Sequence, residues 1–114
     1  MYSITVRNNI LIAHSLPGEV FGPAQNMHGA TYIVDAEFYA KEINKYNIIM
    51  DLGVVTEILS DVLKFYGYKN LDEVEEFKNI ITSTEFLAKD IFDRICDKLQ
   101  KDYIEAVSYT HLTL

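Results

Sequence analysis

The sequence predicts an α+β domain in which two helices pack on one face of an antiparallel sheet. Two segments, 2–14 and 28–40, have the β-branched and alternating character of long strands, and two later segments carry helical periodicity with caps. The 114 residues supply chain for one hydrophobic core, so a single domain over 1–114 is expected.

In the first strand Tyr2, Ile4 and Val6 share one parity. The polar break Arg7-Asn8-Asn9 then interrupts the pattern before the apolar run Ile10 to Ala13, which predicts a bent or bulged strand. Residues 15–27 hold both prolines and two of the five glycines without any sustained period, and read as a long loop. Loops of that length are often functional. From His28 onward Tyr32, Val34, Ala36 and Phe38 alternate with Thr31, Ile33, Asp35, Glu37 and Tyr39, a strand with one drier face. After a charged turn from Lys41 to Lys45, Tyr46-Asn47-Ile48-Ile49-Met50 reads as a short third extended piece.

Asp51 is the expected N-cap of the first helix. Leu52, Val55, Ile58, Leu59, Val62 and Phe65/Tyr66 follow at three- and four-residue spacing, with Lys64 in the last turn and Gly67 beyond it. The acidic stretch Asp72 to Glu76 reads as a solvated connector. Thr82-Ser83-Thr84-Glu85 fits a capping box, in which Thr82 and Glu85 each satisfy a backbone N–H at the start of a second helix from about Ser83 to Gln100. Leu87, Ala88, Ile91, Ile95 and Leu99 form its buried stripe. Residues 103–109 are expected to be a last strand.

Composition narrows the function. A net charge of −7 argues against a protein that holds nucleic acid by neutralising phosphates. An apolar share of 49 % with 24 % charged residues is that of a folded domain. One cysteine, Cys96, allows neither an internal disulfide nor a cysteine metal cluster, which fits a reducing compartment. The N-terminal MYSITVRNNILIAHSL lacks the features of a signal peptide and no stretch is long and apolar enough to span a bilayer, so a cytoplasmic protein without membrane contact is expected.

If strands 2–14 and 28–40 pair as an antiparallel hairpin, His14 closes the first and His28 opens the second, and the two imidazoles become neighbours. Two readings follow. Imidazole nitrogens on rigid strand ends make half of a zinc site; alternatively, each histidine hydrogen-bonds locally at its strand end.

A resemblance adds to this. Ile12-Ala13-His14, His28-Gly29-Ala30-Thr31-Tyr32, Ile49-Met50-Asp51-Leu52, Asn70-Leu71-Asp72 and Ser83-Thr84-Glu85-Phe86-Leu87-Ala88 resemble, in order, the A-A-H, H-G-H-x-Y, V-x-D-F, D-H-x-x-L-N and P-T-x-E-N-x-A motifs of the 6-pyruvoyl-tetrahydropterin synthase and 6-carboxytetrahydropterin synthase family. The resemblance implies the T-fold (tunnelling fold), whose subunits join sheets edge to edge, and hence a homo-oligomer. It also implies a zinc-dependent synthase or lyase acting on the side chain of a dihydropterin. His14 and His28 match two of the family's three zinc-binding histidines, and Ala30 stands at the third. Water, substrate oxygens or a carboxylate such as Glu19 could complete a two-histidine site. The family's cysteine base has no counterpart, because Gly22 to Met27 contains no ionisable side chain. The Asp-His pair aligns with Gly67-Tyr68, leaving Tyr68 either to donate a proton or simply to pack. Ser83, Thr84 and Glu85 match the pterin-binding helix start, with helix capping as the other reading of Glu85. The family's Glu-Thr anchor is missing, and Glu105 is the one nearby carboxylate.

These departures leave a second function in view: a T-fold protein without the usual reaction, which binds a pterin- or purine-like ligand or serves as an oligomeric partner. The final Ser108-Tyr109-Thr110-His111-Leu112-Thr113-Leu114 resembles a translated sequencing adapter, which predicts a non-native tail over 108–114 and assigns no role to His111.

Overall fold

The computed structural model describes residues 1–102 and 109–113. Strands β1 (Tyr2–His14) and β2 (His28–Ala40) form a long antiparallel hairpin whose register runs unbroken from Tyr2 opposite Ala40 to His14 opposite His28. The bulge expected at Arg7-Asn8-Asn9 is absent. Arg7 instead sits opposite Asp35, its Nε and Nη2 donating to the two carboxylate oxygens at 2.7 and 3.0 Å. The polar break is thus a cross-strand ion pair on the solvent face.

The segment read as a loop, 15–27, contains 3₁₀ turns over Glu19–Gln25, kinked where Gly22 takes a positive φ of 54°. The expected extended piece at 46–50 is not a strand. Asn44 Oδ1 accepts the Tyr46 N–H at 2.8 Å and Asn47 adopts a φ of 64°, so the chain turns and tucks Ile49 and Met50 into the core. Helix α1 (Leu52–Leu63) begins as predicted, with Asp51 Oδ1 accepting the Val54 N–H at 3.2 Å. Its buried side chains are Val55, Ile58, Leu59, Val62 and Leu63, whereas Leu52 faces outward.

A two-residue strand β3 (Lys69–Asn70), not foreseen from the sequence, runs parallel to β1 beside Ile12 and Ala13. Short 3₁₀ turns at Leu71–Glu73 and Glu75–Phe77 follow, and they bury Leu71 and Phe77 at the two ends of the acidic connector. Helix α2 spans Thr84–Asp102, and its Leu87, Ile91, Ile95 and Leu99 recur every four residues as the buried stripe. Strand β4 (Tyr109–Thr113) pairs antiparallel with β2, giving the order β3-β1-β2-β4. The strand expected at 103–109 lies, apart from its final residue, outside the described residues. The residues of β4 fall within the segment expected to be a tail.

The core lies between one sheet face and the two helices. Val6, Ile10, Ile12, Val34, Ala36 and Phe38 all point inward on even parity and pack with α1 and α2. That parity also turns His14, His28, Ala30 and Tyr32 toward the helix side of the sheet. No helix among the described residues is long and apolar enough to cross a membrane.

Candidate functional site

The hairpin register places His14 directly opposite His28, and their rings meet edge to face with centroids 4.6 Å apart. His14 is 1 % exposed; His28 is half-buried. The His28 Nδ1 lies 2.9 Å from the Asn26 carbonyl oxygen. A carbonyl only accepts, so Nδ1 carries the proton and the neutral His28 ring has its lone pair on Nε2.

His14 reaches across to the start of α2, where its Nδ1 lies 3.1 Å from the Thr82 hydroxyl. The capping box is therefore framed differently from the sequence expectation. Ser83 caps α2 by accepting the Phe86 N–H at 3.2 Å, Thr82 is buried against His14, and Glu85 lies exposed in the first turn. One residue further, the Thr84 hydroxyl lies 3.3 Å from the Tyr32 phenol, which extends from β2 two pleats beyond His28. Beside the pair, the Asp72 carboxylate accepts the Ser15 N–H at 3.1 Å and the Ser15 hydroxyl at 2.6 Å, fixing the chain as it leaves β1. A patch of two imidazoles and the hydroxyls of Tyr32, Thr82 and Thr84 thus gathers where the hairpin mouth meets the α2 N-terminus.

Burial, and next the charge of His28, lower the His14 pKa, against opposing contributions from a hydrogen bond with the Thr82 backbone and from the Asp72 charge. The unfolded chain takes up a proton on this residue near pH 6.5 while the folded chain resists it, so acidification below about 6.5 favours unfolding. We expect the wild-type denaturation midpoint to fall between about pH 7 and pH 5, and His14→Gln to flatten that dependence. Equal slopes for the two proteins would show that His14 is not the group responsible.

The other residues singled out from the sequence are dispersed. Tyr68 is 88 % exposed with a φ of 61°; its N–H donates to Leu11, and it lines a cavity of about 240 Å³ with Asn8, Leu11 and Lys64. Glu19 is exposed in the 3₁₀ segment. Glu105 lies outside the described residues. Ala30 is half-buried and faces the same side as His28, opposite Ile12. Among the described residues no three histidine, cysteine or carboxylate side chains come together to hold a metal. The donor set present is two imidazoles, one short of the three protein ligands of an open zinc centre.

Tyr32 and Asp72 were passed over by sequence reasoning as site residues. Tyr32 was visible through its even parity with His28, whereas nothing local announced that Asp72 would reach Ser15.

Comparison with known proteins decides the family. The model of the family described as "6-pyruvoyl tetrahydropterin synthase" matches residues 3–110. This chain belongs to that family. A curated relative from Dictyostelium discoideum, named 6-pyruvoyl tetrahydrobiopterin synthase, is 30 % identical over 91 residues, which cover 78 % of this chain and 67 % of the relative. The solved Caenorhabditis elegans 6-pyruvoyl tetrahydropterin synthase superposes with a TM-score of 0.81 at 20 % identity, over 98 % of this chain and 87 % of that one. The Plasmodium falciparum 6-pyruvoyl tetrahydropterin synthase gives 0.71 at 15 % identity, over 97 % and 88 %. The likeness to these two structures concerns the fold, which is the α+β T-fold anticipated from the motifs.

Proposed function

We propose that this member of the 6-pyruvoyl tetrahydropterin synthase family acts on the side chain of a dihydropterin at the His14–His28 patch. The observation that carries the reading is the juxtaposition of the two rings with the hydroxyls at the start of α2. A neutral imidazole with its Nε2 lone pair accepts a hydrogen bond from a side-chain hydroxyl, and it is the ordinary group for moving a proton near neutral pH. Thr84 and Glu85, in the first turn of α2, are the proposed contacts for the pterin ring, with the helix start supplying further donors. Ser83 serves in this reading mainly by holding the helix end in place. Zinc is given no step here, since the two-imidazole donor set does not fit a three-ligand centre.

A second reading, ligand binding without turnover, is favoured by a specific observation. Tyr68 is held through its backbone, whose N–H donates to the Leu11 carbonyl, while its side chain lies exposed, and the loop from Gly22 to Met27 offers no ionisable base. Both readings include a homo-oligomer, since apart from Ile12 and Ala13 the outer edge of β1 has no strand beside it among the described residues.

Titration of a dihydropterin, followed through its own fluorescence, tests what the two readings share. Saturable binding is expected, and His28→Ala should weaken it roughly tenfold, the worth of one hydrogen bond to a ligand. Undiminished affinity in that variant would move the ligand away from the hairpin mouth.

A further inference from the structure

We propose that Thr82 is a positioning residue for His14: its hydroxyl accepts the Nδ1–H of the imidazole, so that His14 and His28 both offer an unprotonated Nε2 to a ligand. The inference deepens the reading above and rests on it only for the identity of that ligand.

The first support is that Thr82 is not used by the helix. Its side chain is 2 % exposed, and Ser83 has taken the N-cap role, leaving the Thr82 hydroxyl 3.1 Å from His14 Nδ1. A wholly buried threonine hydroxyl is costly unless bonded, and the partner the structure places against it is the imidazole.

The second is symmetry of role. His28 spends its Nδ1–H on the Asn26 carbonyl, so both histidines are anchored at Nδ1 by the protein, one from the loop before β2 and one from the residue before the α2 cap. Anchoring a ring nitrogen in this way fixes both tautomer and ring orientation. With the rings 4.6 Å apart, two Nε2 lone pairs in one small patch have no proton of their own to share. Such a pair suits a ligand that brings the proton, such as a hydroxyl.

The experiment is ¹⁵N NMR of the imidazoles in the ligand-free full-length protein at about pH 8, above the ordinary range of imidazole protonation; His14→Gln and His28→Gln assign the signals. The expected result is Nδ1–H for both histidines. Thr82→Val should shift the His14 tautomer ratio toward Nε2–H by about fivefold, the factor a neutral hydrogen bond supplies, and Thr82→Ser should restore it. If Thr82→Val does not fold, Thr82→Ala is read in the same way. An Nε2–H tautomer at His14 in the wild type overturns the proposal, as does a tautomer ratio unmoved by removal of the hydroxyl. Because no pterin is present, failure of the dihydropterin reading leaves this result standing, and the reverse also holds.

Discussion

Ala30→His is expected to turn this chain into a zinc protein. Position 30 faces the same side of β2 as His28, half-buried, with Ile12 across the ladder, so a histidine there would stand one pleat from His28 on the face that also holds His14. Three imidazoles on rigid strands meet the requirement for an open zinc centre, whereas two leave it one protein ligand short. The gain should be at least about a hundredfold in affinity, because even the hydrogen-bond partners of metal ligands are worth 10–100-fold. In protein prepared without a histidine tag and dialysed against a weak chelator, the wild type should lose added zinc and the variant should retain close to one ion per chain. His14→Ala in the Ala30→His background should remove that ion. A folded Ala30→His chain that retains no zinc would show that residues 14, 28 and 30 do not converge.

Asp90→Ala carries the largest expected cost in stability. One carboxylate oxygen of Asp90 accepts from the Tyr66 hydroxyl at 2.5 Å and from Arg94 Nε at 2.9 Å, and Arg94 continues to Glu76 at 3.1 Å. The guanidinium also lies 3.9 Å from the Phe65 ring centroid, so the network ties α2 to the end of α1 and to the second 3₁₀ turn of the connector. Tyr66 is wholly buried, and burial together with the bond to Asp90 raises its pKa far above the ordinary phenol value. It therefore remains a donor throughout the working range. Removing the carboxylate strands that buried hydroxyl and one arm of a partly buried arginine, at a cost of about 3 kcal/mol. Against a total stability of about 5–15 kcal/mol for a domain, that is a large loss. It should appear as a lower urea midpoint with an unchanged slope. Lys89→Ala removes the exposed pair with Asp93 and should leave the midpoint where it was. If the two variants behave alike, the network is not holding α2 in place.

The hairpin and its histidines were legible because strand parity is a strict code: once 2–14 and 28–40 are strands, His14 and His28 must lie at the same end. Parity also predicts that Ala30 shares their face. The frame of the α2 cap was not legible. The run Thr82-Ser83-Thr84-Glu85 offers three adjacent hydroxyls, and a shift of one residue turns a side chain by about 100° around the helix. That shift moves Thr82 from the helix end to the imidazole. Arg7-Asn8-Asn9 misled for a related reason, since a polar interruption in a strand looks the same whether the chain bulges or an aspartate waits on the neighbouring strand. Tyr46 to Met50 has the composition of a strand but no partner edge, and the Asn44 side chain closes a turn there instead. Asp72 belongs to an acidic run that reads as solvent-facing, and only the tertiary fold brings it to Ser15.

The most direct measurement is incubation of the untagged wild-type protein, at substrate-like concentration, with dihydroneopterin triphosphate in the presence and absence of zinc, followed by chromatography of the pterins. A new pterin peak that disappears in His28→Ala is the predicted result. An unchanged chromatogram under both conditions contradicts action on a dihydropterin side chain.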